Sequence, residues 1–253
     1  MKPLLSLLVI TKNSGSLLEK SLSSAAGLVN EIIVVDDGST DNTLSIAKKF
    51  NAVIFKNHEE NLGNQRALGL SKCQGEWVLM LDADEVVSGD LKKEIQEIIS
   101  RQSDVAGYYI PYQNHFLGKA VYYGGENYKI LRLFKKSNSV IPENVIHEHV
   151  KVKGKLGLLN GKIYHYSYRS LCQTFRKFTD YARREATRKT LNGEKTTIWK
   201  LVSYPPHMFW ARYIKDKGYK DYFLCILLDL GFAYMEFLTY LFMFFPKHIS
   251  KKN

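Results

Sequence analysis

The chain has 253 residues and a mass of 29.1 kDa, 45% hydrophobic and 24% charged. That composition excludes disorder over most of the length and suits one large domain, or a domain with an appendage. The formal charge of +11 is uneven: residues 1–150 carry a net −2, residues 151–220 a net +13 and residues 221–253 none, so a single stretch points to an anionic partner.

After Met-Lys-Pro, the apolar run Leu4–Ile10 is too short for a signal peptide and reads as a first buried strand. Ser16-Leu17-Leu18-Glu19 is a capping-box pattern opening a helix to about Leu28. Glu31–Val35 predicts a second strand, ending in Asp36-Asp37-Gly38-Ser39. Thr40–Phe50 predicts a helix, Ala52–Phe55 a strand, Asn64–Cys73 a helix and Trp77–Leu81 a fourth strand ending in Asp82-Ala83-Asp84. Asp90–Ser100 follows as a helix with one apolar face. This β-α order predicts an open parallel sheet with helices on both faces, and such sheets bind ligands beyond the carboxyl ends of their strands. Both acidic clusters fall at strand ends, so they are expected to converge on one crevice.

Beyond residue 105 aromatic-rich strands are expected at Tyr108–Leu117 and Tyr128–Phe134, and further strands at Val145–Val150 and Lys162–Tyr166. Leu171–Leu191 predicts a basic helix, with Phe175, Phe178, Tyr181 and Ala182 on one side. Pro205-Pro206 reads as a break. Tyr222–Phe245 is strongly apolar but interrupted by Asp229 and Glu236, seven apart on one helical face. A helix lying in a membrane interface or packed on the domain fits this better than a span. Three widely spaced cysteines, Cys73, Cys172 and Cys225, cannot build a disulfide framework or a Cys-x-x-Cys site, and read as reduced thiols. The expected division is 1–105, then 106–170 as a second half of the same domain, and 171–253 as a basic, apolar C-terminal region.

Two carboxylates two apart where a strand becomes a loop, as in Asp82 and Asp84, can both address one hard cation. A carboxylate such as Asp37 can accept from a base or ribose, Gly38 permits a tight turn, and Ser39, Thr40 or Asp41 can cap the next helix. Thr11-Lys12-Asn13, then Val34-Val35-Asp36-Asp37-Gly38-Ser39-Thr40-Asp41, Asn61-Leu62-Gly63 with Arg66, and Leu81-Asp82-Ala83-Asp84 occur in that order. Together they resemble the nucleotide-sugar half of the family 2 glycosyltransferases, which have the GT-A fold. The resemblance implies that Thr11, Asn13 and Asp37 contact the nucleotide, Arg66 the base or a phosphate, Asp82 the ribose or metal, and that Asp84 binds Mg or Mn.

The later stretches Asn144–His149 and Tyr164-His165-Tyr166-Ser167-Tyr168-Arg169, with the basic helix and apolar tail, resemble a bacterial subgroup that adds sugars to lipopolysaccharide core. Where processive members carry Gln-x-x-Arg-Trp, this chain has Gln173, Arg176 and Lys177, so polymerisation is not expected. The resemblance implies an inverting displacement needing one carboxylate base, expected at Glu148 with Glu143 as rival. His165 is the expected histidine ligand of the metal, ahead of His147 and His149. Arg176, Lys177, Arg183 and Arg184 are candidates for acceptor or membrane phosphate. The implied partners are a nucleotide sugar, UDP-glucose foremost, a lipid-linked glycan acceptor and the inner face of the cytoplasmic membrane. A basic nucleic-acid-binding protein is a competing reading, weakened by the near-neutral first 150 residues. A nicotinamide dehydrogenase would want Gly-x-Gly-x-x-Gly after the first strand, which Thr11–Leu17 lacks. A catalytically dead scaffold of the same fold is the remaining alternative.

Overall fold

The computed structural model describes residues 4–59, 61–101, 104–142 and 150–245. These fall into two compact units, one built from residues 1–112 and 128–165, the other from 113–127 and 166–253.

The first unit opens with β1 (Leu5–Thr11), α1 (Gly15–Ala25), β2 (Glu31–Asp36), α2 (Thr43–Lys49), β3 (Val53–Lys56), α3 (Leu62–Lys72) and β4 (Trp77–Asp82). It continues through β5 (Glu85–Val87), α4 (Gly89–Ser100) and β6 (Val105–Phe116), the last of which runs on into the second unit. The two-residue β7 (Lys119–Ala120) is followed by β8 (Lys129–Lys135), β9 (Ser139–Val140), β10 (Lys151–Val152), β11 (Lys155–Leu158) and β12 (Ile163–Tyr168). The main sheet has the order β3-β2-β1-β4-β8-β6-β12-β5, with β11 and β7 pairing off β6. Its first four strands are parallel, and β8 enters antiparallel to both β4 and β6. β9 and β10 form a separate ribbon.

Strand alternation divides the core. Leu5, Leu7 and Val9 join Leu18, Leu22, Ile46, Leu91 and Ile95 of α1, α2 and α4 on one face. Leu8 and Ile10 join Leu70 and Cys73 of α3 and its end on the other. β1 is buried along its whole length, as a strand covered by helices on both faces must be. Gly69 lets α3 approach β1, because a Cβ there would lie 2.2 Å from Leu8 Cδ1.

The second unit carries α5 (Leu171–Leu191), α6 (Ile198–Trp210) and α7 (Leu224–Phe244). α5 and α6 both pack on α7. Phe178 of α5 meets Phe232 of α7, with ring centroids 4.8 Å apart, and a Cβ on Gly231 would lie 2.4 Å from the Phe178 ring.

Several expectations are corrected. The Ser16–Glu19 pattern is not the start of α1. The helix begins at Gly15, whose N–H donates to Asp41 Oδ2 at 3.2 Å, so a distant carboxylate satisfies its first turn. The buried seam of α5 is Thr174, Phe178, Ala182 and Ala186, whereas Phe175 and Tyr181 are exposed. Pro205 and Pro206 do not break the chain but lie inside α6, followed by a π turn at Ala211–Lys215. None of the α6 residues is buried, so the two N–H donors lost to proline are missing outside a closed core, where their absence costs less. The expected strand Val145–Val150 lies, up to residue 149, outside the described residues.

Candidate active site

Register brings the acidic strand ends together. Thr11 pairs with Asp36 on one side of β1, and Ile10 with Asp82 on the other. Asp36 and Asp82 are therefore two strand spacings apart, about 10 Å, at one edge of the sheet.

The loop after β2 is held from within. Asp36, fully buried, accepts from Gly38 N at 3.1 Å and Ser39 N at 3.0 Å through Oδ2. Gly38 has φ +72, and a Cβ there would collide with the His58 ring. Asn13, itself at φ 47, is a latch to this loop. Its Oδ1 accepts from Thr40 N at 2.7 Å, and its N–H donates to Ser39 Oγ at 2.9 Å. Asp41 likewise serves turn chemistry, accepting from Thr43 N and Gly15 N. Asp37 is the carboxylate that turns outward, with Lys12 Nζ at 2.9 Å and His58 Nδ1 at 3.6 Å. Beside it, Thr11 Oγ1 and Asp36 Oδ1 are buried with no hydrogen-bond partner among the described residues. Buried polar atoms rarely stay unpaired, so this corner suits a polar ligand.

At the β4 end a second loop motif performs its task through a helix cap. Asn61 Oδ1 accepts from Gly63 N at 2.8 Å and Asn64 N at 3.2 Å and so starts α3. One turn later Arg66 reaches Asp82 Oδ1 at 2.9 Å. The other oxygen, Oδ2, is 2.8 Å from Arg132 of β8. Arg132 also pairs with Glu85 at 2.7 Å and donates from Nε to Tyr112 Oη at 2.8 Å. Tyr112 donates to Glu85 Oε1. Burial would raise the Asp82 carboxyl, but the guanidiniums of Arg132 and Arg66 more than offset this and hold it well below the usual carboxylate range. Burial pushes Glu85 the other way, and the Asp82 charge adds to the rise against the pull of Arg132.

His165 pairs in register with Glu85 across β12 and β5. This sets its Nε2 3.7 Å from Asp84 Oδ1, with both side chains under a fifth exposed. A nitrogen donor and a carboxylate oxygen thus face one another at the strand end. Among the described residues no three His, Cys, Asp or Glu side chains cluster as a ready metal cage.

In the first unit Arg66 meets Asp82 and His165 faces Asp84, while the Asp37 amide donates to Thr11 O and Asn13 bonds the Ser39–Thr40 loop. Glu148, Glu143, His147 and His149 lie outside the described residues. Of the α5 cations, Arg176, Arg183 and Arg184 are exposed. Lys177 donates to Ser167 Oγ at 2.6 Å, and Arg183 reaches Asp180 at 3.1 Å. Sequence reasoning missed Arg132, Glu85 and Tyr112. The signal for Glu85 was its place directly after Asp82-Ala83-Asp84, and the signal for Arg132 was a lone charge inside the apolar core of β8, Ile130–Phe134.

A model of the family described as Glycosyl transferase family 2 matches residues 6–150. The chain belongs to that family. Its fold is GT-A: it superposes on the mannosyltransferase PcManGT of Pyrobaculum calidifontis with a TM-score of 0.52 at 14% identity, covering 100% of this chain and 89% of that one. A TarS fragment from S. aureus, solved with UDP-GlcNAc, gives 0.52 at 15% identity over 99% and 93%. Among its relatives, an uncharacterized glycosyltransferase of Rickettsia prowazekii is 30% identical over 92% of this chain and 84% of its own length. The lipopolysaccharide core biosynthesis glycosyltransferase LpsC of Rhizobium meliloti is 22% identical over 84% and 81%. Family membership makes the protein a glycosyltransferase, and the readings as a nucleic-acid-binding protein or a dehydrogenase are overturned.

Proposed function

We propose that this glycosyltransferase inverts configuration, uses Mg or Mn, and moves a hexose from a nucleotide sugar, foremost UDP-glucose, to a lipid-linked glycan of the lipopolysaccharide inner core. The observation that carries the reading is the register of three strand ends, Thr11, Asp36 and Asp82, at one edge of the sheet. Asp37 turns outward there beside the orphan hydroxyl of Thr11, a pair suited to the nucleoside. Asn13 acts by holding that loop, and Arg66 is close enough to the Asp82 corner to serve both the carboxylate and a phosphate.

The Asp84–His165 pair fits a divalent ion. A hard carboxylate oxygen suits either metal, and the imidazole favours Mn. PcManGT was solved with GDP-Man and Mn2+, in keeping with that choice. Such an ion would stabilise charge on the departing diphosphate. Arg66 and Arg132 lock Asp82 in one orientation, so the acidic corner needs no rearrangement when donor arrives. The acceptor hydroxyl would lose its proton to Glu148, on the face opposite the leaving group.

The envelope acceptor rests on the likeness to LpsC and on the basic, apolar character of residues 171–253, which suits the inner face of the cytoplasmic membrane. Arg176, Lys177, Arg183 and Arg184 are the proposed contacts for acceptor or lipid phosphate. Thermal denaturation with UDP, GDP and their hexose conjugates, with and without Mn, tests the donor half: metal-dependent stabilisation by UDP and UDP-glucose is expected, and indifference to every nucleotide would overturn it. For the base, Glu148→Gln should lower transfer by a factor of about 100 or more with UDP affinity kept.

A further inference from the structure

The outward stripe of α6 is apolar, which is the reverse of a helix that merely covers a core. Trp199, Val202, Pro206 and Trp210 follow one another at spacings of three and four, so they share one face. Trp199 is 75% exposed, Val202 61% and Trp210 51%. The two indoles stand about 16 Å apart at 1.5 Å per residue. Ile198 at the head of the helix and Ile214 just beyond its end extend the same exposed apolar character.

We infer that this stripe is the element that seats the protein on an anionic lipid surface. Lys195, Lys200, Lys215, Lys217 and Lys220 flank it, and residues 171–220 hold 12 Lys/Arg against 4 Asp/Glu. A second copy of the chain would set that excess against itself, whereas a bilayer of acidic lipids offers an apolar layer and negative headgroups on one face. Tryptophan at both ends of the stripe suits the headgroup boundary. Thirteen residues reach only about 20 Å, short of a hydrocarbon core of about 30 Å, so α6 lies in the interface and does not cross it. The two internal prolines agree with that depth, because the carbonyls they leave without helical donors stay within reach of headgroups and water. α7, packed on α6, adds an exposed row of its own at Leu230, Phe237 and Phe244. The inference rests on the envelope-acceptor reading for its setting, and it names α6 where that reading named α5 and the apolar tail.

The test uses the intact chain and vesicles of phosphatidylethanolamine and phosphatidylglycerol, beside vesicles of phosphatidylcholine alone. Trp77 is in the core, so Trp77→Phe leaves Trp199 and Trp210 as the emitters. Binding to the acidic vesicles should blue-shift that emission, and lipids brominated near the headgroup should quench it. Trp199→Glu with Trp210→Glu should weaken co-sedimentation about tenfold or more, with stabilisation by UDP and Mn unchanged. Unquenched indoles, or vesicle binding that survives the double substitution, would overturn the assignment to α6 and leave the donor reading standing. Concentration-dependent dimers abolished by the same substitutions, without vesicle binding, would overturn it in favour of a protein interface.

Discussion

Arg132 holds Asp82 Oδ2 at 2.8 Å and Glu85 Oε1 at 2.7 Å with a single guanidinium nitrogen. One cation on β8 thus joins the last residue of β4 to the first of β5. Arg132 and Glu85 are both nearly inaccessible, at 5% and 1%. Replacing Arg132 by Leu leaves Glu85 buried without its counter-charge and Asp82 held by Arg66 alone. A loss of about 3–5 kcal/mol is expected from urea denaturation midpoints. Adding Glu85→Gln to Arg132→Leu should return part of that loss, and a double variant no more stable than the single would argue against the bridge.

Asp84 and His165 should separate from the nucleoside contacts when metal and nucleotide are varied independently. Asp84→Asn is expected to abolish the Mn-dependent part of UDP stabilisation and to lower transfer about 100-fold or more. His165→Ala should weaken the same part less. Asp37→Ala should instead weaken UDP with metal and without it. Loss of metal dependence in Asp37→Ala but not in Asp84→Asn would reverse the assignment.

A pH-dependent term resides in the second unit. Asp229 of α7 is buried, accepts from Arg212 Nε at 2.9 Å, and has no hydrogen-bond partner for Oδ2 among the described residues. Burial pushes its carboxyl from an ordinary 3.8 up to about 6, against the pull of Arg212. The folded chain therefore holds this proton more tightly than the unfolded one, so the Asp229 contribution is intact below about pH 4 and falls as pH climbs toward 6. Its size is on the order of 2–3 kcal/mol. Asp229→Asn removes the term, so its melting temperature relative to the parent should rise between pH 4 and pH 7. A difference that stays constant with pH would refute this.

Gly161 offers a purely steric test. A Cβ there would sit 2.3 Å from Leu91 Cα and 2.4 Å from Leu91 N, and helix backbone cannot swing aside as a side chain can. Gly161→Ala should cost about 1–3 kcal/mol, read from denaturant midpoints, with the Mn-dependent UDP response kept once folded.

The alternating half of the fold is legible because three of its parallel strands, β1, β2 and β4, are apolar runs ending in Thr or Asp, and strand ends are where such sheets bind ligands. Asp37 and Asp84 are readable on those grounds. Arg132 is not, because a charge in a strand ordinarily points to solvent. Only the insertion of β8 between β4 and β6 encloses it, and that pairing is non-local. Asn13 reads from sequence as a nucleotide contact, and its bonds to the neighbouring Ser39–Thr40 loop are a second task that local sequence does not reveal. Pro205-Pro206 misleads for a related reason: proline is costly in a helix whose carbonyls are buried, and α6 buries none of its residues.

The cysteines leave a practical handle. Burial pushes the Cys73 and Cys225 thiols up to about 12, so at neutral pH neither supplies much nucleophilic thiolate. Cys172, by contrast, is exposed one residue into α5. A maleimide dye offered to the unmodified protein should therefore attach at a single address, at the head of the basic helix, and report on that neighbourhood without any engineered substitution.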